Sequence, residues 1–345
     1  MTRDVIIIGG GVIGLMTAYF LNKSGRKVTV IDEGDISDCT SFGNAGMLSS
    51  FDKTPLSRPG IIAETIKLML KGESPANLHL SFDLKLYRWL YHFMRNANES
   101  RMKKSMKLFE QYGELSIDLY KQMIKDDSLD FDFHHDGLLM VYTEDNTFNE
   151  KIRHAKDKER FEILNKNETK KYMPCANDKI KGSVLLKKNA HLDPKKVMLN
   201  LKDHLEKQGV EFILNEKIID VEFKDKKVNK MFSKSSTYEA DTFIMSTGYQ
   251  SLIAKKAGNE LLMTPAKGYS VTFKMQEDLK PKMSSLFADM FIAMTPRVND
   301  VRITSKLELG TTNPYIIQKQ IDSIKRNFRN YTQDYEMLDE ELWTG

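Results

Sequence analysis

Val5 to Ile8 is an unbroken run of β-branched apolar residues with no polar position to mark a solvent face. Such a run predicts a strand covered on both sides, as in a parallel sheet. After Gly9-Gly10-Gly11 the period changes. Ile13, Met16, Thr17, Phe20 and Leu21 recur at helical spacing, and Gly25 supplies a helix stop. Val28 to Ile31 is a second buried run, so the order is strand, glycine turn, helix, strand, which is one βαβ unit. A membrane span needs about 20 uninterrupted apolar residues. The run from Val5 to Leu21 is shorter and broken by three glycines, and no small-residue cleavage site follows it, so neither a span nor a secretory signal is expected.

Further along, residues 39–60 are rich in Ser, Gly, Asn and Pro and read as loop. Helical periodicity predicts helices over 61–71, 84–95, 101–125 and 148–158, the last lying between strands at 137–142 and 182–186. Asp193-Pro194 predicts a helix start, with Asp as cap and Pro in the first turn. Val197, Leu201 and Leu205 share one face of that helix, and Gly209 stops it. Strands follow at 210–214, 218–223, 228–233 and 242–245, the last ending in Ser246-Thr247-Gly248. "GYSVTFKM", "MFIAMTP" and "VRITSKLEL" read as further strands, and 315–327 as a final helix. The strand–helix–strand order of the first βαβ unit thus resumes after a long interval. A split nucleotide-binding domain is expected over 1–50 and 190–260, with a substrate domain over 51–189 and 261–330 inserted into it. The expected class is α/β: a Rossmann-like domain carrying an inserted α+β domain of mixed sheet and helices.

Composition changes this picture little. The chain has 345 residues, 41% hydrophobic and 29% charged, and a net charge of +4 with lysines and acids interspersed. No basic stripe marks a nucleic-acid partner. Cys39 and Cys175 are too few and too far apart for a disulfide framework or a zinc site, which fits a reducing cytoplasm. Nineteen methionines read mostly as core filler.

The chemistry lies in Gly9-x-Gly11-x-x-Gly14. Gly9 permits a sharp turn. Gly11 lets a diphosphate approach bare backbone. Gly14 lets the helix pack close to the strand. The helix start at Val12 and Ile13 offers unpaired N–H groups and the positive end of a dipole. Asp32 ends the second strand, where its carboxylate can accept ribose hydroxyls, with Glu33 as the competing acid. An acid here, and not an arginine, argues against a 2′-phosphate.

With "VTVID", "GNAGMLS" (43–49), "HLDP" (191–194), "ADTFIMSTG" (240–248), "PAKGYSVT" (265–272) and the closing "WTG", the chain resembles the FAD-dependent D-amino acid oxidoreductases along nearly its whole length, the bacterial D-amino acid dehydrogenases most of all. Glycine oxidase and sarcosine oxidase look like more distant relatives. The resemblance implies FAD as cofactor. It places Ser41, Asn44, Ala45 and Gly46 near the ribityl chain or ring, Met47 at the ring face, Val221 at the adenine and Thr247-Gly248 near the diphosphate. Each has a plainer reading: Met47 as core, Val221 as an ordinary strand residue, Asn44 to Gly46 as a turn. Tyr269, beside the pocket in the family, reads equally as a buried aromatic with a satisfied hydroxyl. His134 and His135 lack partners at ligand spacing, so no metal is expected, and nothing nearby in sequence makes Cys39 a reactive thiolate.

The implied reaction is oxidative deamination of a D-amino acid to a 2-oxo acid and ammonia by hydride transfer to flavin N5. The electrons would pass to an acceptor such as a quinone. A glycine-, sarcosine- or proline-type substrate is the alternative. The implied location is cytoplasmic, or peripheral at the inner face of the cell membrane. In relatives the Trp-x-Gly matching Trp343-Thr344-Gly345 leads into the arginine that holds the substrate carboxylate, and the sequence stops before it. A C-terminally truncated, inactive flavoprotein fragment is therefore a further expectation. Arg302 is the candidate substitute, against the plainer reading of a solvated strand arginine. Thr304-Ser305 stand where the family often has glycines.

Overall fold

The computed structural model of the chain describes residues 3–345 apart from 38, 52, 71–75, 80–83, 226, 250, 251, 257, 259, 260, 334 and 335, and the backbone alone at 3, 66–70, 76 and 252. The chain divides into two compact units. The first comprises Met1–Phe42, Leu129–Phe131 and Pro194–Thr264, the second Gly43–Ser128, Asp132–Asp193 and Pro265–Gly345.

The first unit is built on a sheet in the order Asp220–Lys224, Lys227–Phe232, Thr237–Met245, Arg3–Ile8, Val28–Ile31, Glu211–Ile213. The last four strands are parallel to one another, and the first three form an antiparallel meander. The expected double burial holds: Ile6, Ile7, Val30 and Ile31 are all 0% exposed. Covering such a side chain contributes about 1.5–3 kcal/mol. One face packs Ile6, Ile8 and Ile31 with Ile218, Met231 and Tyr238. The helices Val12–Lys23 and Pro194–Lys207 pack on each other, burying Leu15, Ala18, Leu201 and Leu205. The first helix stops where Gly25 takes φ +85° and donates its N–H to Asn22 O at 2.8 Å.

The second unit holds a larger sheet in the order Leu338–Thr344, Ala266–Lys274, Val301–Leu309, Ile292–Pro296, Ser285–Phe287, Leu138–Tyr142, Gly182–Leu186, Phe161–Asn165, with Ala76–Leu78 also pairing to Val301–Leu309. Its two faces differ by strand alternation. Tyr269, Val271, Phe273, Ile303 and Met294 point to one face and pack against Ile321, Ile324 and Phe328 of the helix Gln318–Arg329. On the other face Ser270, Thr272, Thr295, Arg302 and Thr304 are cross-strand neighbours. Farther along, that second face turns apolar, with Leu138, Tyr142, Val184 and Leu186 packed with Phe51.

Most helices fall where the periodicity put them, including Ile61–Leu70, Leu84–Asn96 and Glu99–Asp127; residue 71 lies outside the described residues. The helix expected at 148–158 runs instead Asp145–His154. It is followed by the strand Phe161–Asn165 and the helix Lys166–Tyr172. Asn165 and Glu168 close a reciprocal capping box at that helix start. The strands Ser285–Phe287 and Leu338–Thr344 carried no clear period.

Candidate active site

In the first unit the glycine turn has the tight geometry its spacing implies. Gly9 takes φ +102°, and its N–H donates to Ile31 O at 2.8 Å. A Cβ on Gly9 would fall 2.4 Å from Ser246 O, and one on Gly14 only 1.9 Å from Gly9 O. Neither position tolerates a side chain. Gly11 differs: a Cβ there would meet nothing nearer than Ser41 Oγ at 3.6 Å. The protein's own packing does not require a glycine at that position. The space above it is what an approaching diphosphate needs, so the residues present fit that group. The helix opens beside it, and its first internal bond runs from Leu15 N–H to Gly11 O at 3.0 Å.

Asp32, and not Glu33, faces this turn. Gly10 N–H donates to Asp32 Oδ2 at 2.5 Å and Gly34 N–H to Oδ1 at 2.8 Å. Glu33 points away and pairs with Lys217 at 2.7 Å. Ser41 lies beside the turn, where its Oγ accepts the Val12 N–H at 3.1 Å at the helix start. Ile13 presents its side chain to solvent. Ser246, not singled out by the motif, braces the turn by donating its hydroxyl to Ile8 O at 3.0 Å and Gly9 O at 2.8 Å. Thr247 and Gly248 follow it, Gly248 at φ +59°. Val221 sits half-buried in the outer meander, its N–H taken by Asp220 Oδ1 at 2.9 Å. Burial first of all pushes the Cys39 thiol above its ordinary value, which removes any thiolate character.

In the second unit the Asn44 side chain closes a turn by accepting the Gly46 N–H at 2.7 Å, with Gly46 at φ +67°. Ala45 O accepts from Thr295 Oγ1 at 2.6 Å, and Asn44 O from Arg302 Nη1 at 3.3 Å. Arg302 Nε donates to Thr272 Oγ1 at 3.1 Å. Arg302 is 5% exposed, which overturns the reading of it as a solvated strand arginine. Burial, with Arg297 nearby, lowers it to about 10, so it stays cationic at neutral pH. Met47 pairs with His191 in a short strand and, partly buried, packs against the Leu138–Tyr142 side of the core.

The chain matches the DAO family, FAD dependent oxidoreductase, over residues 4–345. The chain belongs to this family. It is 49% identical over 345 residues to a D-amino acid dehydrogenase of Helicobacter pylori, covering 100% of this chain and 84% of that one. It is 24% identical over 356 residues to one of Vibrio vulnificus (strain CMCP6), covering 99% and 84%. Among solved structures it is similar to glycine oxidase from Geobacillus kaustophilus, with a TM-score of 0.72, 15% identity and coverage of 100% and 82%. It is also similar to L-alpha-glycerophosphate oxidase from Mycoplasma pneumoniae with FAD bound, with a TM-score of 0.69, 17% identity and coverage of 100% and 83%. These likenesses bear on the fold, which is the expected α/β class with mixed sheets and helices.

For an FAD-dependent oxidoreductase of this family, two pocket candidates prove to be on opposite sides of the same sheet. Arg302 shares the polar face with Thr272 and Thr295, whereas Tyr269 shares the core face with Val271 and Phe273. Tyr269 is 1% exposed and donates its hydroxyl to Glu308 Oε2 at 2.7 Å. Burial, then that bond, raises its pKa. It is a core residue with a satisfied hydroxyl. His134 stacks on His191 with ring centroids 4.9 Å apart and takes Asp132 as partner at 3.0 Å. No local pattern signals that histidine pair, because the two residues meet only across a non-local bridge.

Proposed function

We propose that this chain catalyses FAD-dependent oxidative deamination of a D-amino acid to a 2-oxo acid and ammonia. The observation that carries the cofactor half is the contrast within the glycine turn. Gly9 and Gly14 are forced by contacts within the protein, while Gly11 is open above its Cα. The substrate half rests on the Helicobacter pylori relative, named a D-amino acid dehydrogenase. FAD, when bound, supplies a hydride acceptor. The chain's own part is to bind and to orient. The turn and the helix start receive the diphosphate. Asp32 is held in place by two backbone N–H groups, and a carboxylate retains acceptor capacity for ribose hydroxyls. Val221 and Thr247-Gly248 serve the nucleotide end, and Asn44, Ala45 and Gly46 the ring end.

The electrons pass to an acceptor such as a quinone, with membrane contact at most peripheral. Among the described residues no helix is long and apolar enough to cross a membrane. Anaerobic titration of the purified, FAD-loaded chain tests this reading. The flavin absorbance near the visible maximum should bleach with D-alanine and survive L-alanine. Bleaching by glycine, sarcosine or L-proline in preference to any D-amino acid would overturn the substrate assignment.

A further inference from the structure

Four consecutive residues of the segment after Ser41 are each held by a different part of the second unit. The Trp343 ring lies so close over Gly43 that a Cβ there would fall 1.9 Å from Trp343 Cδ2. Asn44 O takes Arg302, Ala45 O takes Thr295, and Gly46 O takes the Leu192 N–H at 3.0 Å. A short non-helical segment usually leaves such carbonyls to water. Here they are satisfied by the side chains of Arg302 and Thr295 on sheet strands and by the backbone of Leu192, just past the strand Ala190–His191.

We propose that Arg302, with Thr295, is a positioning residue that holds Gly43–Gly46 in its cofactor-binding shape before FAD arrives. This rests on the FAD reading above. Arg302 is suited to the task because its planar fork makes two bonds at once, Nε to Thr272 and Nη1 to Asn44 O. Those two bonds tie the loop carbonyl to the strands beneath it. A segment already ordered costs less to bind than one that must be frozen on contact.

The test separates the two ends of the cofactor. FAD carries the ring end that the proposal gives to the loop, and ADP lacks it. Affinities are measured by flavin fluorescence quenching for FAD and by calorimetry for ADP. Arg302→Met should weaken FAD by roughly 10- to 100-fold, the range expected for loss of charged hydrogen bonds, and leave ADP within about twofold. Arg302→Lys should recover only part of the loss, since an ammonium lacks the fork. Thr295→Val, nearly isosteric, should weaken FAD by roughly fivefold with ADP unchanged. Wild-type FAD affinity in both Arg302→Met and Thr295→Val would overturn the proposal, as would a parallel fall in ADP affinity. A wild-type chain that binds neither FAD nor ADP would remove the FAD reading itself, and the proposal with it.

Discussion

Gly9, Gly11 and Gly14 share a residue type but not a reason. At Gly14 an added methyl would meet Gly9 O at 1.9 Å, so Gly14→Ala should cost about 3 kcal/mol through overpacking, the upper end of such effects. Loss of soluble protein or a large drop in Tm would show it. At Gly11 the nearest atom is the Ser41 hydroxyl at 3.6 Å. Gly11→Ala should therefore fold with stability within about 1 kcal/mol of wild type, yet lose most FAD affinity in a fluorescence titration. Equal effects in the two variants would refute the assignment of roles. Tyr269 makes the opposite point. Tyr269→Phe strips the buried Glu308 of a donor and should cost about 1–3 kcal/mol. FAD affinity should not change, because Tyr269 lies on the core face of the sheet.

At the scale of elements, the short strand Ala190–His191 links several features, pairing with Met47 and bridging to His134. His191 is 2% exposed, and its Nδ1 has no hydrogen-bond partner, the nearest carboxylate oxygen being Asp136 Oδ1 at 3.6 Å. Burial first, then His134, lowers its pKa to about 4 from an ordinary 6.5. The unfolded chain takes up this proton as pH falls through 6.5, while the folded chain resists it down to about 4. Stability therefore rises with pH across that window. His191 removes up to about 3 kcal/mol between pH 7 and pH 4. Denaturant melts of His191→Phe should show a correspondingly shallower acid loss. An unchanged slope would assign the acid sensitivity elsewhere.

At the scale of the whole molecule, cofactor and fold are linked by mass action. FAD at 100 times its Kd should stabilise the chain by about 2.7 kcal/mol, read as a rise in Tm that NAD does not reproduce. Failure of FAD to shift Tm would count against the nucleotide site. The class of fold and this site's core were legible in sequence because the strand period and the glycine spacing are local, and the family because several motifs follow one another in a specific order along the chain. Ile6 and Ile7 are buried, and Asp32 faces the turn, as the apolar run and the strand–turn–helix–strand order predict. Less legible were features set by distant partners. Leu338–Thr344 is a strand only because Ala266–Lys274 offers it an edge, and its Asp-Glu-Glu run shows no alternation. Ser41 caps Val12 only once the loop folds back onto the helix.

Sequence alone thus determined the βαβ unit, its glycine cradle and the acid beside it, because all three lie within one short supersecondary unit whose pattern is continuous in the chain. Tertiary structure decided which way Arg302 and Tyr269 point. Their faces follow from strand register, here shifted by an irregularity between Gly268 and Tyr269. A single slip in pairing exchanges the two sides of a strand, and only the assembled sheet fixes that choice.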